Sequence, residues 1–197
     1  MDSGTSEHST VAEEQREDTR VISNGVLGMS LFILTEIMFF AGMISSFTIV
    51  RASSAIWPPP DQPRLPVEAT AFNSLVLILS AVFLFLAQRR FSSDREAARK
   101  PLMAAIGLGI FFVVFQGWEW VSMLAQGLTL TSSILGSFFY LIVGVHALHA
   151  IVAIGLVAHA WRRLEAGHLQ SSQLATAAVL WYFVVGAWPL IYWRIYL

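Results

Sequence analysis

The chain has 197 residues, of which 56% are hydrophobic and 13% are charged, and its net charge is −1. About a quarter of the residues of an ordinary soluble domain are charged, so this composition is typical of a membrane protein. The sequence contains no cysteine, which excludes disulfides, iron–sulfur clusters, thiolate zinc sites and cysteine nucleophiles. It also lacks the basic stretches that would predict binding to nucleic acid.

The chain begins with an acidic segment. Six acidic residues and no apolar run occur in the first 20 residues, so we expect no cleavable signal peptide there. A segment of this composition cannot bury a core, and we expect residues 1–25 to form a disordered cytoplasmic tail. A single transmembrane domain is expected over residues 26–197.

Five apolar stretches follow the tail. A helix needs roughly 20 apolar residues to cross a hydrocarbon core of about 30 Å. We therefore predict an all-α polytopic membrane protein whose five transmembrane helices cover Val26–Val50, Ala69–Ala87, Leu102–Ala125, Ile134–Ala160 and Ala175–Tyr196. None of the stretches alternates between polar and apolar residues as a barrel strand does.

The basic residues predict which way the bundle lies in the membrane. With the N-terminus inside, nine of the twelve lysines and arginines fall on the inner side, and the outer side keeps only Arg51, Arg64 and Arg194. Cytoplasmic loops carry such an excess of positive charge. We therefore expect the N-terminus inside and, because the number of spans is odd, the C-terminus outside.

The loop after the first span is rich in proline. Five prolines occur within nine residues after Trp57, beginning with Pro58 and Pro59. Proline fixes its own φ and restricts the residue before it, which predicts a stiff, non-helical turn on the outer face. Such a turn either sets the spacing of two helices or offers a docking surface, and Trp57 stands where an interfacial tryptophan is expected.

Two of the spans carry a single carboxyl group each, Glu36 in the first and Glu119 in the third. An acidic residue within a membrane span is costly and marks a proton relay or an ion site by default. The alternative is a carboxylic acid that stays neutral in its apolar surroundings, or one that is hydrogen-bonded to a histidine, and that holds helices together. We expect the structural role for Glu119 and leave both roles open for Glu36.

Two histidines, His146 and His149, lie three residues apart in the fourth span. This spacing puts both on one side of a helix, where they could supply two ligands to a metal. His159 lies about three turns further along and cannot complete such a site, so Glu36 or Glu119 would have to be recruited. A hydrogen-bonding role is favoured, with Glu36 as the partner of His146 or His149.

Taken in order, the motifs of all five spans resemble subunit III of the haem-copper oxidases, the family of cytochrome c oxidase and quinol oxidases. The resemblance covers about residues 25–197. It is carried by the strings Thr35–Gly42, Trp57–Pro59 with Asn73, Gln116–Trp120, Gly136–Tyr140, Gly144–His149 and Trp188–Tyr192.

The resemblance implies a non-redox accessory subunit in a bacterial plasma membrane. Haems and copper would belong to subunits I and II, while this chain would pack on subunit I, bind structural phospholipid and support proton uptake. A respiratory supercomplex would be a further partner. It would have no catalytic, cofactor-binding or metal-binding residues of its own. Trp57, Trp118 and Trp120, with Pro58 and Pro59, would face lipid or a partner.

The chain also departs from the family pattern. Many members have seven helices, and this chain matches a five-helix form that lacks the first pair, one wall of a lipid-holding cleft. Many relatives carry a histidine and an aspartate in the last helix, where this chain has Tyr182 and Val185. Any role that rests on that pair is not expected here.

Other functions remain open. The sister subunit of nitric oxide reductases is similar. A small proton-coupled carrier using Glu36 and Glu119 would need a polar cavity or broken helices, and Pro189 offers a break only near the outer end. A membrane metalloenzyme is disfavoured, because the three histidines within the spans share one helix.

Overall fold

Five long helices make up most of the computed structural model, which describes residues 23–59 and 63–197. The helices are α1 (Asn24–Ser53), α2 (Val67–Phe91), α3 (Arg95–Ala125), α4 (Ile134–Glu165) and α5 (Ser171–Ile195). All five are long and apolar enough to cross a membrane, and the described residues contain no strand. The prediction of an all-α bundle with five spanning helices is therefore confirmed. Most of the expected tail lies outside the described residues.

The helices extend beyond the apolar stretches from which they were predicted. α3 begins at Arg95, where the side chain of Asp94 accepts a hydrogen bond from the amide of Glu96 at 2.9 Å. α4 continues to Glu165, and Arg99 of α3 contacts Glu165 at 2.6 Å. Hydropathy identifies only the part of a helix that lies within the hydrocarbon layer, so it did not predict these charged end turns.

Two glycines end helices with the same geometry. Gly127 after α3 has φ 92° and Gly167 after α4 has φ 75°, a left-handed conformation in which glycine meets no Cβ clash. In each case the next amide reaches back to the last turn, from Leu128 to the carbonyl of Met123 and from His168 to that of Arg163. These caps satisfy helix-end carbonyls and allow the chain to reverse direction.

The helices differ in how far they are buried. α2 and α3 form the most extensive pair, and α5 contacts α1, α2 and α4. In the most apolar stretch of α5, 44% of the residues are buried, against 11% in α1. Within α1 only Phe40 and Phe47 are buried, so α1 lies at the edge of the bundle and presents a long apolar face outward.

Prolines inside two helices do not end them. Pro101 lies in α3 and Pro189 in α5, and both helices are continuous through these positions. The break that a carrier would need at Pro189 is therefore not found. The proline-rich loop has a cis bond between Trp57 and Pro58.

Candidate functional site

The carboxyl group of Glu36 lies between α1 and α4, in contact with one of the two candidate histidines. Its Oε2 is 3.1 Å from Nε2 of His149, and the exposed fractions of the two side chains are 17% and 14%. Oε2 has no aligned hydrogen-bond donor among the described residues, so the contact is a close approach at ion-pair distance. His146 is not part of it.

The backbone determines which nitrogen of His149 carries hydrogen. Nδ1 lies 2.8 Å from the carbonyl oxygen of Val145, and a carbonyl oxygen only accepts, so Nδ1 must be the donor. Nε2 is then an acceptor in the neutral ring. A hydrogen bond between Nε2 and Oε2 of Glu36 would therefore need a proton on either the carboxyl group or the imidazole.

Aromatic rings surround this pair. Phe32 stacks on His149 with ring centroids 6.2 Å apart, while Phe40 and Phe183 meet it edge-on at 5.6 and 6.3 Å. Such rings restrict the imidazole to one orientation and exclude most water from it. The pair is therefore largely shielded, although it lies at the edge of the bundle.

The second carboxyl group, Glu119, lies near the C-terminal end of α3 and is only 5% exposed. Thr70 of α2 donates to both of its oxygens, at 3.2 and 3.0 Å. Gln116 donates to Oε2 at 2.9 Å and also to the hydroxyl of Tyr196 at 3.2 Å. Neutral donors thus surround Glu119 and tie α2, α3 and the end of α5 together. We call these four residues the Glu119 network.

Further buried polar side chains of α2 continue this pattern. Asn73 donates to the carbonyl of Phe112 at 3.1 Å and Ser80 to that of Ala105 at 2.8 Å. Trp188 of α5 donates to Ser74 at 2.7 Å. Sequence reasoning did not assign roles to Thr70, Ser80 or Tyr196. The signal in the sequence was the stripe of polar residues at 70, 73 and 80, a helical spacing that indicates a packed face.

The two histidines of α4 share Phe40 of α1 as a neighbour, and their other contacts differ. His146 is 1% exposed and lies against Trp188, with ring centroids 4.9 Å apart. His149 faces α1 and Glu36 instead. No group of three metal-ligating side chains occurs among the residues that the structure describes.

The tryptophans and prolines predicted to face lipid or a partner occupy different environments. Trp118 is 68% exposed, whereas Trp120 is half-buried and meets Tyr140 edge-on at 5.9 Å. Trp57 is also half-buried, and it packs edge-on against Phe47 at 5.6 Å. Of the two prolines, Pro58 is exposed and Pro59 is half-buried.

A cavity of about 370 Å³ adjoins this loop. Trp57 and Pro58 border it, together with Arg51 and Arg64. The guanidinium of Arg51 lies 5.8 Å from the centre of the Trp57 ring. A cavity bordered by two arginines and by apolar and aromatic side chains is suited to bind an amphipathic anion.

Tyr182 of α5 has a hydrogen-bond partner on α2. Its hydroxyl donates to Oε1 of Gln88 at 2.6 Å, which links α5 to the C-terminal end of α2. Val185 is half-buried and packs against the core. Both residues therefore take part in packing between helices.

Comparison with known proteins agrees with this architecture. Residues 7–197 match the family described as cytochrome c oxidase subunit III. Cytochrome c oxidase subunit 3 of Dasypus novemcinctus is 30% identical, and the match covers 92% of this chain and 73% of the relative. The subunit of Sus scrofa is likewise 30% identical with the same coverage. That of Synechocystis sp. is 28% identical over 87% of this chain and 75% of the relative. With five spanning helices and a family match over nearly its whole length, this integral membrane protein belongs to the cytochrome c oxidase subunit III family.

Proposed function

We propose that this chain is the accessory subunit of a respiratory haem-copper oxidase, where it packs on subunit I beside subunit II, binds phospholipid and supports proton uptake and stability. The observation that carries the proposal is the family match over residues 7–197. Haems and copper would lie in the partner subunits, and the complex would reduce oxygen and pump protons in a bacterial plasma membrane.

The role in proton uptake is assigned to Glu36 and His149. The carboxyl group and the imidazole lie 3.1 Å apart among aromatic rings, and Glu36 itself belongs to the least buried helix of the bundle. A group that releases or accepts a proton at the edge of a subunit can serve a neighbouring subunit. The Glu119 network is assigned to stability, because it is enclosed within the chain and bonded to neutral donors.

Phospholipid binding is assigned to the cavity at the proline-rich loop. Arg51 and Arg64 border it, and the planar guanidinium groups of arginine bind phosphate oxygens well. The apolar rings of Trp57 and Pro58 at the same cavity would contact the glycerol and upper acyl region. Trp118, which is exposed on α3, would contact the surrounding lipid or a partner subunit.

The assembly is tested by mild affinity purification of the full chain, followed by visible spectroscopy and mass spectrometry. A stoichiometric subunit I with a haem a or haem o spectrum is the expected result. A partner that contains only haem b and reduces nitric oxide would assign the chain to the sister complex. A colourless, homogeneous protein would overturn the oxidase proposal and favour a carrier.

The lipid site is tested separately in the purified complex. Substitution of Arg51→Gln and Arg64→Gln together should lower the phospholipid recovered per complex by about one molecule. Arg162→Gln is the matched control, since Arg162 is exposed at the C-terminal end of α4. Equal phospholipid in the double variant, the control and the parent would contradict the assignment.

A further inference from the structure

The end of the bundle at which α1 begins also carries two of the loops between helices. Ser23 and Asn24 at the start of α1 border one cavity together with Gln170, which directly precedes α5. Near the start of α3, Arg99 forms an ion pair at 2.6 Å with Glu165, the last residue of α4. The α2–α3 loop and the α4–α5 loop therefore lie at the end where the preceding chain enters α1.

Cations outnumber carboxyl groups at this end. The two loops and the helix turns beside them hold seven lysine and arginine side chains and three carboxyl groups, a net charge of +4 with histidine neutral. The cations are Arg89, Arg90, Arg95, Arg99, Lys100, Arg162 and Arg163, and the acids are Asp94, Glu96 and Glu165. We call these ten residues the basic face.

The three acids of the basic face already have partners. Arg99 contacts both Glu96 and Glu165, at 2.8 and 2.6 Å, and Asp94 caps the start of α3. The six other cations form no ion pair with a described carboxyl group. Five of the six are exposed, namely Arg89, Arg90, Arg95, Lys100 and Arg162. A group of exposed cations without counter-charges attracts an anionic partner.

We propose that the acidic segment of this chain, residues 1–22, docks on the basic face. The segment has six acids and two arginines, a net charge of −4 with histidine neutral, which balances the +4 of the basic face. Four of the acids fall within six residues, Glu13, Glu14, Glu17 and Asp18. Its six carboxyl groups also equal in number the six cations that have no partner. Attraction between opposite charges requires no fixed structure in the segment.

The length of the segment and its point of attachment allow this contact. An extended chain covers at most about 3.5 Å per residue, so residues 1–22 can span roughly 70 Å. Packed helices lie about 8–10 Å apart, so a five-helix bundle presents an end only about 30 Å across. Because the segment joins α1 at that end, docking is intramolecular, with an effective concentration on the order of millimolar.

Anionic lipid headgroups are the competing ligand for the basic face. Each headgroup brings about one charge and has to be gathered from the bilayer separately. The segment brings a net charge of −4 on a single tether, so its charges reach the face together. The charge balance within one chain therefore favours the segment.

The test uses Lys100, which is the only lysine in the chain. A carbodiimide joins a carboxyl group directly to an amine that it contacts. Mass spectrometry of the full chain in zwitterionic bilayers should therefore find residues 13–18 linked to Lys100. Glu96 is the internal reference, because it lies one helical turn from Lys100 and its link does not depend on docking. Lys100→Arg keeps the charge and should abolish both links.

Salt and the lipid composition decide between the two ligands. The link from residues 13–18 should fall at least about threefold relative to the Glu96 reference in 1 M salt, because the screening length shortens from about 10 Å at 0.1 M to about 3 Å. The reference link without a link from residues 13–18 at low salt would overturn the proposal. Anionic lipid retained by the basic face in that case would assign the face to lipid.

A charge variant supplies a second readout. Arg89→Gln with Arg90→Gln halves the net charge of the basic face and leaves Lys100 and every carboxyl group in place. The link from the segment to Lys100 should weaken by about twofold or more. Arg51→Gln with Arg64→Gln is the matched control, since it removes two arginines at the opposite end of the bundle. Equal links in the two double variants would contradict docking on the basic face.

Discussion

The two carboxyl groups within the spans occupy opposite kinds of environment. Glu119 is 5% exposed and accepts hydrogen bonds from Thr70 and Gln116. Glu36 lies on the least buried helix, and its one close polar neighbour among the described residues is His149. The same residue type therefore accepts hydrogen bonds from neutral donors in one region and lies against an imidazole in the other.

The difference shows that the free-energy cost of burying an acidic residue in a membrane helix does not by itself reveal the role of that residue. Neutral donors around Glu119 satisfy it without a mobile proton, which favours stability. A single imidazole beside Glu36 provides a place for a proton to move, which favours proton exchange. Substitutions on the two sides should consequently give different kinds of effect.

The largest expected effect on stability is that of Glu119→Leu. Loss of the carboxyl group leaves the hydroxyl of Thr70 and an amide hydrogen of Gln116 buried without their acceptor, and each such group costs about 1–3 kcal/mol. We expect the free energy of unfolding to fall by about 2–4 kcal/mol, measured by SDS titration in mixed micelles with tryptophan fluorescence. Glu119→Gln keeps an acceptor and should lose about 1 kcal/mol or less. A leucine variant as stable as the glutamine variant would contradict a stabilising role for the carboxyl group of Glu119.

Two Gly→Ala substitutions compare the packing around α3 with the packing around α1. A Cβ added at Gly109 of α3 would lie 2.8 Å from the ring of Trp181, whereas one added at Gly42 of α1 meets no atom within 4 Å. Overpacking should lower the stability of Gly109→Ala by about 1–3 kcal/mol. Gly42→Ala should leave the stability unchanged or raise it by up to about 1 kcal/mol, because alanine has the better helix propensity. The same SDS titration reports both, and equal losses would argue against an exposed α1.

The contact between Glu36 and His149 is measured with a double-mutant cycle. Glu36→Gln and His149→Gln should be non-additive by about 0.5–1 kcal/mol, the range of polar interactions between membrane helices. The matched cycle combines Glu36→Gln with His146→Gln, and it should be additive because His146 faces Trp188 instead. Additivity in the first cycle, or coupling in the second, would contradict a specific contact between Glu36 and His149.

The orientation of the bundle is tested with substitutions that should not change stability. The chain has no cysteine, so Ser93→Cys and Thr131→Cys each introduce a single thiol, and both positions are exposed. With the N-terminus inside, a membrane-impermeant thiol reagent should label Thr131→Cys in intact cells and Ser93→Cys only after the membrane is opened. The reverse pattern would invert the predicted topology.

The amino-acid sequence alone was sufficient to predict the class of fold and the order of the five helices. The length of a spanning helix follows from the thickness of the hydrocarbon layer, so apolar runs near 20 residues identify helices without any knowledge of their packing. The same reasoning could not locate the charged end turns of α3 and α4, which lie beyond the apolar runs.

The contacts of the polar side chains were decided only by tertiary structure. Thr70 and Glu119 are 49 residues apart, and Gln116 and Tyr196 are 80 apart, so no local pattern predicts that they meet. His146 and His149 share one side of α4 by spacing, yet a helix rotates by about 100° per residue and three residues leave them roughly 60° apart. That angle directs one ring toward Trp188 and the other toward Glu36. Helix packing, which the order of residues does not reveal, thus placed Glu119 among neutral hydrogen-bond donors and Glu36 against an imidazole.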